Sequence, residues 1–436
     1  IIEKNALKMI GRGETITLRG WIANLPEKLV NESLFLMRFR IWGLGFAGEI
    51  DQAATLFPKI EEALDSQAPS EETQSIRGEV ALFRGVAANY RCQFQDAIDQ
   101  CQKALALIPE PSTRIRAVVV FALGDIYRAQ GDLPRAFQAF VEAGRLAQEC
   151  GVYWSEIQSF WSQAVVSEIQ GRLHEAENFY QRAYAIASDH YLQPGSVVMV
   201  DVGMSGLCYQ WNMLDQARQL LSSRIEDTSW SGTMRWWENP NMLVPGYLIH
   251  ARLLKISGDK EAAKTAVEKA VQLCKEFDVY PDICTQVQAE LVRSWLEQGE
   301  VAKATDWLEQ YQDNKELVAW HECENIAAIR VQLALGRYAE AQSLLDRLIS
   351  SAEEGRRIKH LIEMLILQAL ALDATDNHLE ALAVLRRALA LSQPEGIVRI
   401  FLDEGESLES LLALGKEQED WKSNQLNEYV SNLLVA

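Results

Sequence analysis

The sequence predicts an all-α superhelical solenoid of about nine helix-hairpin repeats with a short C-terminal helical extension. The basis is a glycine that is followed five residues later by alanine and that recurs about every 40 residues in the 436-residue chain. This pair occurs as Gly48/Ala53, Gly131/Ala136, Gly171/Ala176, Gly258/Ala263, Gly299/Ala304 and Gly336/Ala341. Degenerate copies lie between them at Cys92/Ala97, Asn212/Ala217 and Asp376/Ala381. Such a period is typical of stacked repeats, in which each hairpin packs on its neighbours.

The third repeat shows why this pattern predicts a helix hairpin. Gly124 and Ala136 are small enough for two antiparallel helices to approach closely, and Gly131 begins the turn between them. Tyr127 and Phe140 would fill the remaining space. These spacings resemble the tetratricopeptide repeat (TPR). The interval of 37 to 46 residues between copies also fits HEAT and armadillo repeats, but the small and aromatic positions favour TPR-type hairpins with longer helices or linkers.

The sequence predicts three parts: a degenerate N-terminal helix hairpin, the repeats and the C-terminal extension, at residues 1–32, 33–393 and 394–436. In the first part, Gly13 would lie at the turn and Trp21 on the second helix. Two longer connections are expected, at residues 65–74 and at residues 227–245, and the second contains three tryptophans and two prolines. The sequence of the extension predicts two short helices.

The composition excludes several classes of protein. A hydrophobic content of 48% can form a packed interior, and 11 prolines and 25 glycines are too few for a disordered chain. The net charge of −19 repels phosphate groups and argues against direct nucleic-acid binding by this chain. Seven cysteines without a CxxC motif favour a cytoplasmic location, and no apolar run is long enough to span a membrane. Because Ile1 stands where a methionine would start a chain, we expect a piece of a longer protein.

Signatures of catalysis and of cofactor binding are incomplete in this sequence. His174-Glu175 and His321-Glu322 begin like a zinc-protease helix, but each lacks the second histidine four residues after the first. The sequence contains neither a phosphate-binding P-loop nor a Gly-x-Ser-x-Gly motif. We therefore expect no enzyme activity, no catalytic residues, no metal site and no cofactor in this chain.

Aromatic residues concentrate in repeats four to six and in their linkers. The segment between Trp230 and Trp237 has no helical period that would account for its tryptophans. Two interpretations remain open: the segment covers a ligand in the groove, or it fills space between two repeats. Flat rings would suit a sugar or another flat ligand. The candidate ligand-binding residues are Trp154, Trp161, Tyr209, Trp230, Arg235, Trp236, Trp237 and Asn239.

The most family-specific stretch follows the last repeat. From Gly396 to Gly405 it reads Gly-x-Val-Arg-x-Phe-x-Asp-Glu-Gly. It resembles the segment that closes the repeat domain in MalT-like, LuxR-family large ATP-binding transcriptional regulators. Trp21-Ile22 and Arg40-x-Trp42 are similar to the beginning of the same domain. The resemblance covers essentially the whole chain and implies the TPR-like sensor domain only.

The resemblance also implies a function. Such regulators have an N-terminal signal-transduction ATPase, a TPR-like sensor and a C-terminal helix-turn-helix domain that binds DNA. We expect ATP only in the ATPase, and DNA contact only in the C-terminal domain. A small-molecule inducer or a regulatory protein would bind the repeats and favour a self-associating, active form of the full-length protein.

The alternative is a TPR scaffold that binds a partner protein or a peptide. Recognition of a peptide carboxylate would need Lys or Arg residues that recur along the first helices of the hairpins. Arg38, Arg40 and Arg84 lie on such helices, but we identify no repeating Lys/Arg pattern. The sequence therefore favours the sensor.

Overall fold

The computed structural model describes residues 6, 9, 15–110, 112–190, 197–225, 240–311, 319–418, 421 and 424–436. Within these ranges all regular secondary structure is helical, which confirms the all-α prediction. Two short helices precede the hairpins, α1 (Thr15–Ala23) and α2 (Glu27–Glu32). Trp21 lies in α1, and Gly13 lies outside the described residues. No helix in the described ranges is long and apolar enough to cross a lipid bilayer.

Nine consecutive hairpins follow in the described part of the chain, which confirms the solenoid. Hairpin 1 pairs α3 (Leu34–Phe46) with two shorter helices, α4 (Ile50–Ala54) and α5 (Phe57–Asp65). Hairpins 2 to 5 are α6 (Glu71–Tyr90) with α7 (Phe94–Leu107), α8 (Thr113–Gln130) with α9 (Leu133–Glu149), α10 (Tyr153–Ile169) with α11 (Leu173–Asp189), and α12 (Val198–Gln210) with α13 (Leu214–Ile225). Hairpins 6 to 9 are α14 (Pro240–Ile256) with α15 (Lys260–Glu276), α16 (Pro281–Glu297) with α17 (Val301–Gln310), α18 (Glu322–Ala334) with α19 (Tyr338–Glu354), and α20 (Ile358–Asp373) with α21 (His378–Ser392).

Both of the expected long connections are shorter than the sequence suggested. The first ends at Ser70, whose side chain and Thr73 form a capping box that begins α6 at Glu71. The last residues of the second belong to α14, which begins at Pro240, and proline is well tolerated at the first position of a helix.

The nine repeat positions have one backbone conformation in common. The six glycines, together with Cys92, Asn212 and Asp376, have φ values between 58° and 90°. This is the left-handed region, which reverses the chain after the first helix of each hairpin. The paired alanines are at most 9% exposed, because each lies where two helices touch. The degenerate copies therefore keep the geometry of the turn although they lack its glycine.

Glycines inside the first helices allow the two helices of a hairpin to come close. A Cβ atom on Gly124 would lie 2.6 Å from the ring of Phe140, which is fully buried. Neighbouring hairpins pack in the same way, since a Cβ on Gly203 would lie 2.3 Å from Tyr180. Both distances are too short for a carbon–carbon contact. The close approach predicted for the third repeat is confirmed.

The second superhelical turn lies on the first with an offset of five hairpins. Gly48, in the turn of hairpin 1, lies against Pro240 at the start of hairpin 6. Tyr90, at the end of α6, stacks on Tyr280 before α16, with ring centroids 4.4 Å apart. The same offset joins hairpin 3 to 8 and hairpin 4 to 9, through Gly131 with Ala319 and Gly171 with Ile358.

The C-terminal segment takes the place that a tenth hairpin would occupy against hairpin 5. The backbone N–H of Val398 donates to Gln210 O at 2.7 Å, and Trp211 Nε1 donates to Glu395 O at 2.9 Å. Three helices follow, at α22 (Arg399–Leu402), α23 (Glu406–Lys416) and α24 (Asn424–Val435). The sequence indicated two, because a single turn such as α22 is too short to show helical periodicity. The three-part division of the chain stays a prediction.

Candidate functional site

Three arginines, which we call the arginine row, occupy one repeat position on consecutive first helices. Arg252, Arg293 and Arg330 each stand six residues before the turn glycine of hairpins 6, 7 and 8. The statement that the first helices carry no repeating Lys/Arg pattern is therefore wrong. The period becomes visible only when the arginines are aligned on the turn glycines.

Carboxylates on the same set of helices contact these arginines. Glu290 Oε2 accepts hydrogen bonds of 2.6 and 2.8 Å from Arg252. Arg330 Nη2 donates to Glu363 Oε1 at 2.8 Å, and Arg293 Nε donates to Glu297 Oε1 at 3.2 Å. First helices of four consecutive hairpins thus present one continuous charged surface.

The Asp403-Glu404 pair of the family-specific C-terminal stretch is inserted into this surface. Arg330 donates from Nη1 to Glu404 Oε2 at 2.6 Å and from Nη2 to Oε1 at 2.7 Å. Arg293 Nη2 donates to the backbone carbonyl of Asp403 at 2.5 Å and lies 3.4 Å from Glu404 Oε1. A paired contact of this kind, with two parallel N–H···O bonds, is the strong and directional form of arginine–carboxylate recognition.

The side chain of Asp403 contacts hairpin 5. Tyr209, in α12, donates its hydroxyl to Asp403 Oδ2 at 2.7 Å. Arg399, one helical turn before Asp403, donates to the other carboxylate oxygen and lies over the Tyr209 ring at 5.4 Å from its centroid. Burial raises the pKa of the Tyr209 hydroxyl, and the adjacent Asp403 raises it further, so this group keeps its proton and donates a hydrogen bond.

Glu404 is held as an anion although its side chain is only 6% exposed. Burial alone would raise the pKa of this carboxyl, but Arg330 and Arg293 oppose that effect and bring the pKa to about 2. Against the same effect of burial, nearby arginines also lower the pKa of Glu290 and Glu363, so these carboxyls are carboxylates at neutral pH as well. Removal of one partner would leave a buried charge without compensation.

The charges of the site balance only when the C-terminal segment is present. The first helices contribute three arginines and two glutamates, which are Arg252, Arg293, Arg330, Glu290 and Glu363. Lys255 and Glu297 form a further pair and cancel each other. Glu404 supplies the third carboxylate, so the solenoid without it carries one uncompensated positive charge at this place.

Three of the sequence-predicted ligand-binding residues lie in the described part of the chain. Trp154 and Tyr209 belong to one hydrophobic cluster between α10 and α12, where Trp154 is partly buried. Trp161, also partly buried, packs against the large cluster formed with the later hairpins. Of these three residues, Tyr209 is the one that lies at the site formed by the arginines and the Asp403-Glu404 pair. The other five lie outside the described residues, at Trp230, Arg235, Trp236, Trp237 and Asn239.

A cavity of about 210 Å³ lies elsewhere, between the two superhelical turns. Its lining includes Asp51 and Tyr90 from hairpins 1 and 2, and Cys274 and Asp278 from hairpin 6. Among the described residues no group of three His, Cys, Asp or Glu side chains is arranged to hold a metal ion.

Comparison with solved structures finds other helical solenoids. The structure of a Rap protein complexed with Competence and Sporulation Factor is 15% identical, with a TM-score of 0.47 over 93% of this chain and 97% of that one. NprR in complex with its cognate peptide NprX is 12% identical, with a TM-score of 0.43 over 93% of this chain and 100% of that one.

Comparison with curated proteins finds transcriptional regulators. The HTH-type transcriptional regulator MalT of Vibrio campbellii is 24% identical over 423 residues, which cover 94% of this chain and 45% of that protein. MalT of Yersinia enterocolitica is 23% identical over 414 residues, which cover 93% and 44%. The chain thus spans less than half the length of these relatives. The family model of the MalT-like TPR region matches residues 78–418. Since that match covers most of the chain, the chain belongs to the family of MalT-like TPR regions.

Proposed function

We propose that this chain is the signal-sensing and oligomerisation domain of an ATP-dependent transcription activator of the LuxR/MalT type. In this proposal it binds a small inducer or a regulatory protein and catalyses no reaction. The main observation in support is one buried polar site. There, the arginine row and Tyr209 contact the family-specific C-terminal stretch. A ligand that binds one arrangement of these elements more tightly than another would shift the population between them.

The remaining roles of such an activator are assigned to other parts of the full-length protein. We place ATP binding in an ATPase domain and DNA contact in a helix-turn-helix domain, and we assign self-association to the complete regulator. The charge of −19 on this chain agrees with a domain that does not touch DNA. We propose a cytoplasmic location, no membrane partner and no cofactor for this chain.

Thermal denaturation of the chain with sugars, nucleotides and amino-acid metabolites tests the proposal. A ligand at about 100 times its dissociation constant adds about 2.7 kcal/mol to the free energy of unfolding. We expect a selective increase in the melting temperature. If no compound in a broad panel has this effect, the small-inducer form of the proposal is wrong for this chain.

Tryptophan variants locate the site of any ligand so found. We expect Trp236→Ala to abolish both the thermal shift and the accompanying quenching of tryptophan emission. Trp21→Ala is the matched control, because Trp21 lies in α1 with 40% of its surface exposed. An equal loss in both variants would show that the effect is not local.

A protein-binding scaffold is the second candidate, and the arginine row favours it. Arg252, Arg293 and Arg330 recur at one position, as the cations of a clamp for peptide carboxylates would, and a peptide would have to replace the glutamates that pair with them here. Under this alternative the metabolite panel has no effect, and a partner protein or an acidic peptide stabilises the chain. Thermal shifts with acidic and basic peptides of equal length distinguish the two candidates.

A further inference from the structure

We propose that Arg293, Arg330 and Tyr209 form a binding site for a small dicarboxylate anion, and that Glu404 and Asp403 occupy this site as an internal ligand. The inference rests on the proposed sensing role and names the chemical class of ligand. It assigns to the C-terminal segment the task of competing with that ligand.

The contacts of Glu404 are those of a bound carboxylate. Both of its oxygens accept from Arg330, at 2.6 and 2.7 Å, and Arg293 approaches one of them at 3.4 Å. The arginines belong to the rigid first helices of hairpins 7 and 8, whereas Glu404 belongs to a segment between two short helices. The receptor half of the site is thus part of the solenoid, and the carboxylate half is part of the C-terminal segment.

Charge favours an anion over a neutral ligand. Without Glu404, three arginines face two glutamates at this place. An uncompensated cation that is nearly buried is costly, and a carboxylate that enters the site removes that cost. Arg330, with 11% of its side chain exposed, then keeps a bidentate partner.

The second carboxylate of the ligand is inferred from Asp403. Tyr209 donates its hydroxyl to Asp403 Oδ2 at 2.7 Å, and Arg293 donates to the backbone carbonyl of the same residue. A dicarboxylate can therefore satisfy Arg330 with one end and Tyr209 with the other. Arg399, which pairs with Asp403 at i,i+4, leaves together with the segment and does not compete.

Occupancy by an external anion is coupled to release of the segment. Residues 395–404 bridge hairpin 5 and hairpins 7 and 8, because Val398 N–H donates to Gln210 O and Glu404 accepts from Arg293 and Arg330. A tethered carboxylate competes with an effective concentration of the order of millimolar. External dicarboxylate therefore binds the native sequence weakly and binds a chain without the internal carboxylate more tightly.

The experiment compares succinate binding, by isothermal titration calorimetry, to the native chain and to Glu404→Gln. We expect Glu404→Gln to bind succinate about tenfold more tightly or better, because the carboxylate that competes for Arg330 is removed. The further change Arg330→Gln, made in the Glu404→Gln chain, should abolish the gain, and uncharged succinamide should not bind. Equal affinity of the native chain and Glu404→Gln, or a gain that survives Arg330→Gln, would overturn the proposal.

Glu79→Gln is the matched control. Glu79 is as deeply buried as Glu404, and it accepts from Arg38 at 2.5 and 2.7 Å in hairpins 1 and 2. If Glu79→Gln also gains succinate affinity, any broken buried ion pair binds the anion, and the proposal fails.

A measurement on the native chain remains available if Glu404→Gln does not fold. Succinate at about 100 mM, well above a millimolar tether concentration, should increase hydrogen exchange of the Val398 amide relative to sodium chloride of equal ionic strength. Unchanged exchange would contradict the proposal. A chain that responds to an uncharged metabolite in the thermal panel but fails these tests keeps the sensing role and loses only the dicarboxylate site.

Discussion

Glu404 and Arg330 are 74 positions apart in the chain and are joined by hydrogen bonds of 2.6 and 2.7 Å. The pair attaches a segment outside the repeats to the first helix of hairpin 8. Because both side chains are nearly buried, their interaction is screened little by solvent. This ion pair is one of several contacts that attach the C-terminal segment to the solenoid, together with the buried side chain of Phe401 and the hydrogen bond from Val398 N–H to Gln210 O.

Glu404→Gln should lower the free energy of unfolding at neutral pH by about 3 kcal/mol, the equivalent of a pKa shift from 4.5 to about 2. A lowered pKa stabilises the folded state above the ordinary pKa of the group, and the contribution disappears as the pH falls through about 2. Urea denaturation at a series of pH values measures the difference between the two chains. A difference that does not shrink below about pH 4.5 would contradict the assignment.

Gly203→Ala should destabilise the protein, whereas Gly206→Ala on the same helix should not. A Cβ on Gly203 would lie 2.3 Å from Tyr180, and overpacking of this kind costs about 1–3 kcal/mol. A Cβ on Gly206 would meet Ile249 at 3.5 Å, an ordinary contact, so the better helix propensity of alanine adds up to about 1 kcal/mol. Chemical denaturation of both variants checks the prediction. Equal changes in stability would rule out the packing explanation.

Cys92→Gly should stabilise the chain by about 1 kcal/mol. Cys92 has φ of 58°, a left-handed conformation that costs an L-residue about 1–2 kcal/mol and that glycine adopts freely. Cys150→Gly is the control, because Cys150 has φ of −98°. The melting temperatures of the two variants give the comparison. A gain in the Cys150 variant would point to loss of the thiol rather than to the backbone.

Asp125→Asn should stabilise the protein above about pH 6, by up to about 3 kcal/mol. Burial raises the pKa of Asp125 to about 6, and Asp282 adds to the effect while Arg128 opposes it. For a carboxyl with a raised pKa, the contribution to stability is complete below the ordinary value of 3.8 and is lost as the pH rises through about 6. Denaturation at about pH 5 and pH 8 tests this. A variant that is less stable at both would show that the ionised carboxylate is needed.

The turns were predictable from the sequence, but the contacts between distant hairpins were not. A left-handed turn position restricts the residue type, so Asn212 and Asp376 could be placed beside the glycines. The five-hairpin offset depends on small rotations that accumulate over many repeats, and no local pattern encodes them.

The candidate site was predicted only in part. Tyr209 was selected for its aromatic ring, whereas its hydroxyl makes the contact with Asp403. The arginine row was present in the sequence and required alignment on the turn glycines. The partner of Glu404 could not be found in this way, because Glu404 lies outside the repeats and 74 positions away from Arg330.

The five-hairpin offset also determines how the molecule should unfold. A solenoid whose repeats touch only their neighbours loses order gradually from its ends. Here Tyr90 of hairpin 2 stacks on Tyr280 at hairpin 7, and Gly171 of hairpin 4 touches Ile358 of hairpin 9. Amide protons in hairpins 2 and 7 should therefore exchange with the same opening free energy, and different values would show independent units. A change in stability near one end of the array should therefore also change the opening free energy of hairpins far along the chain.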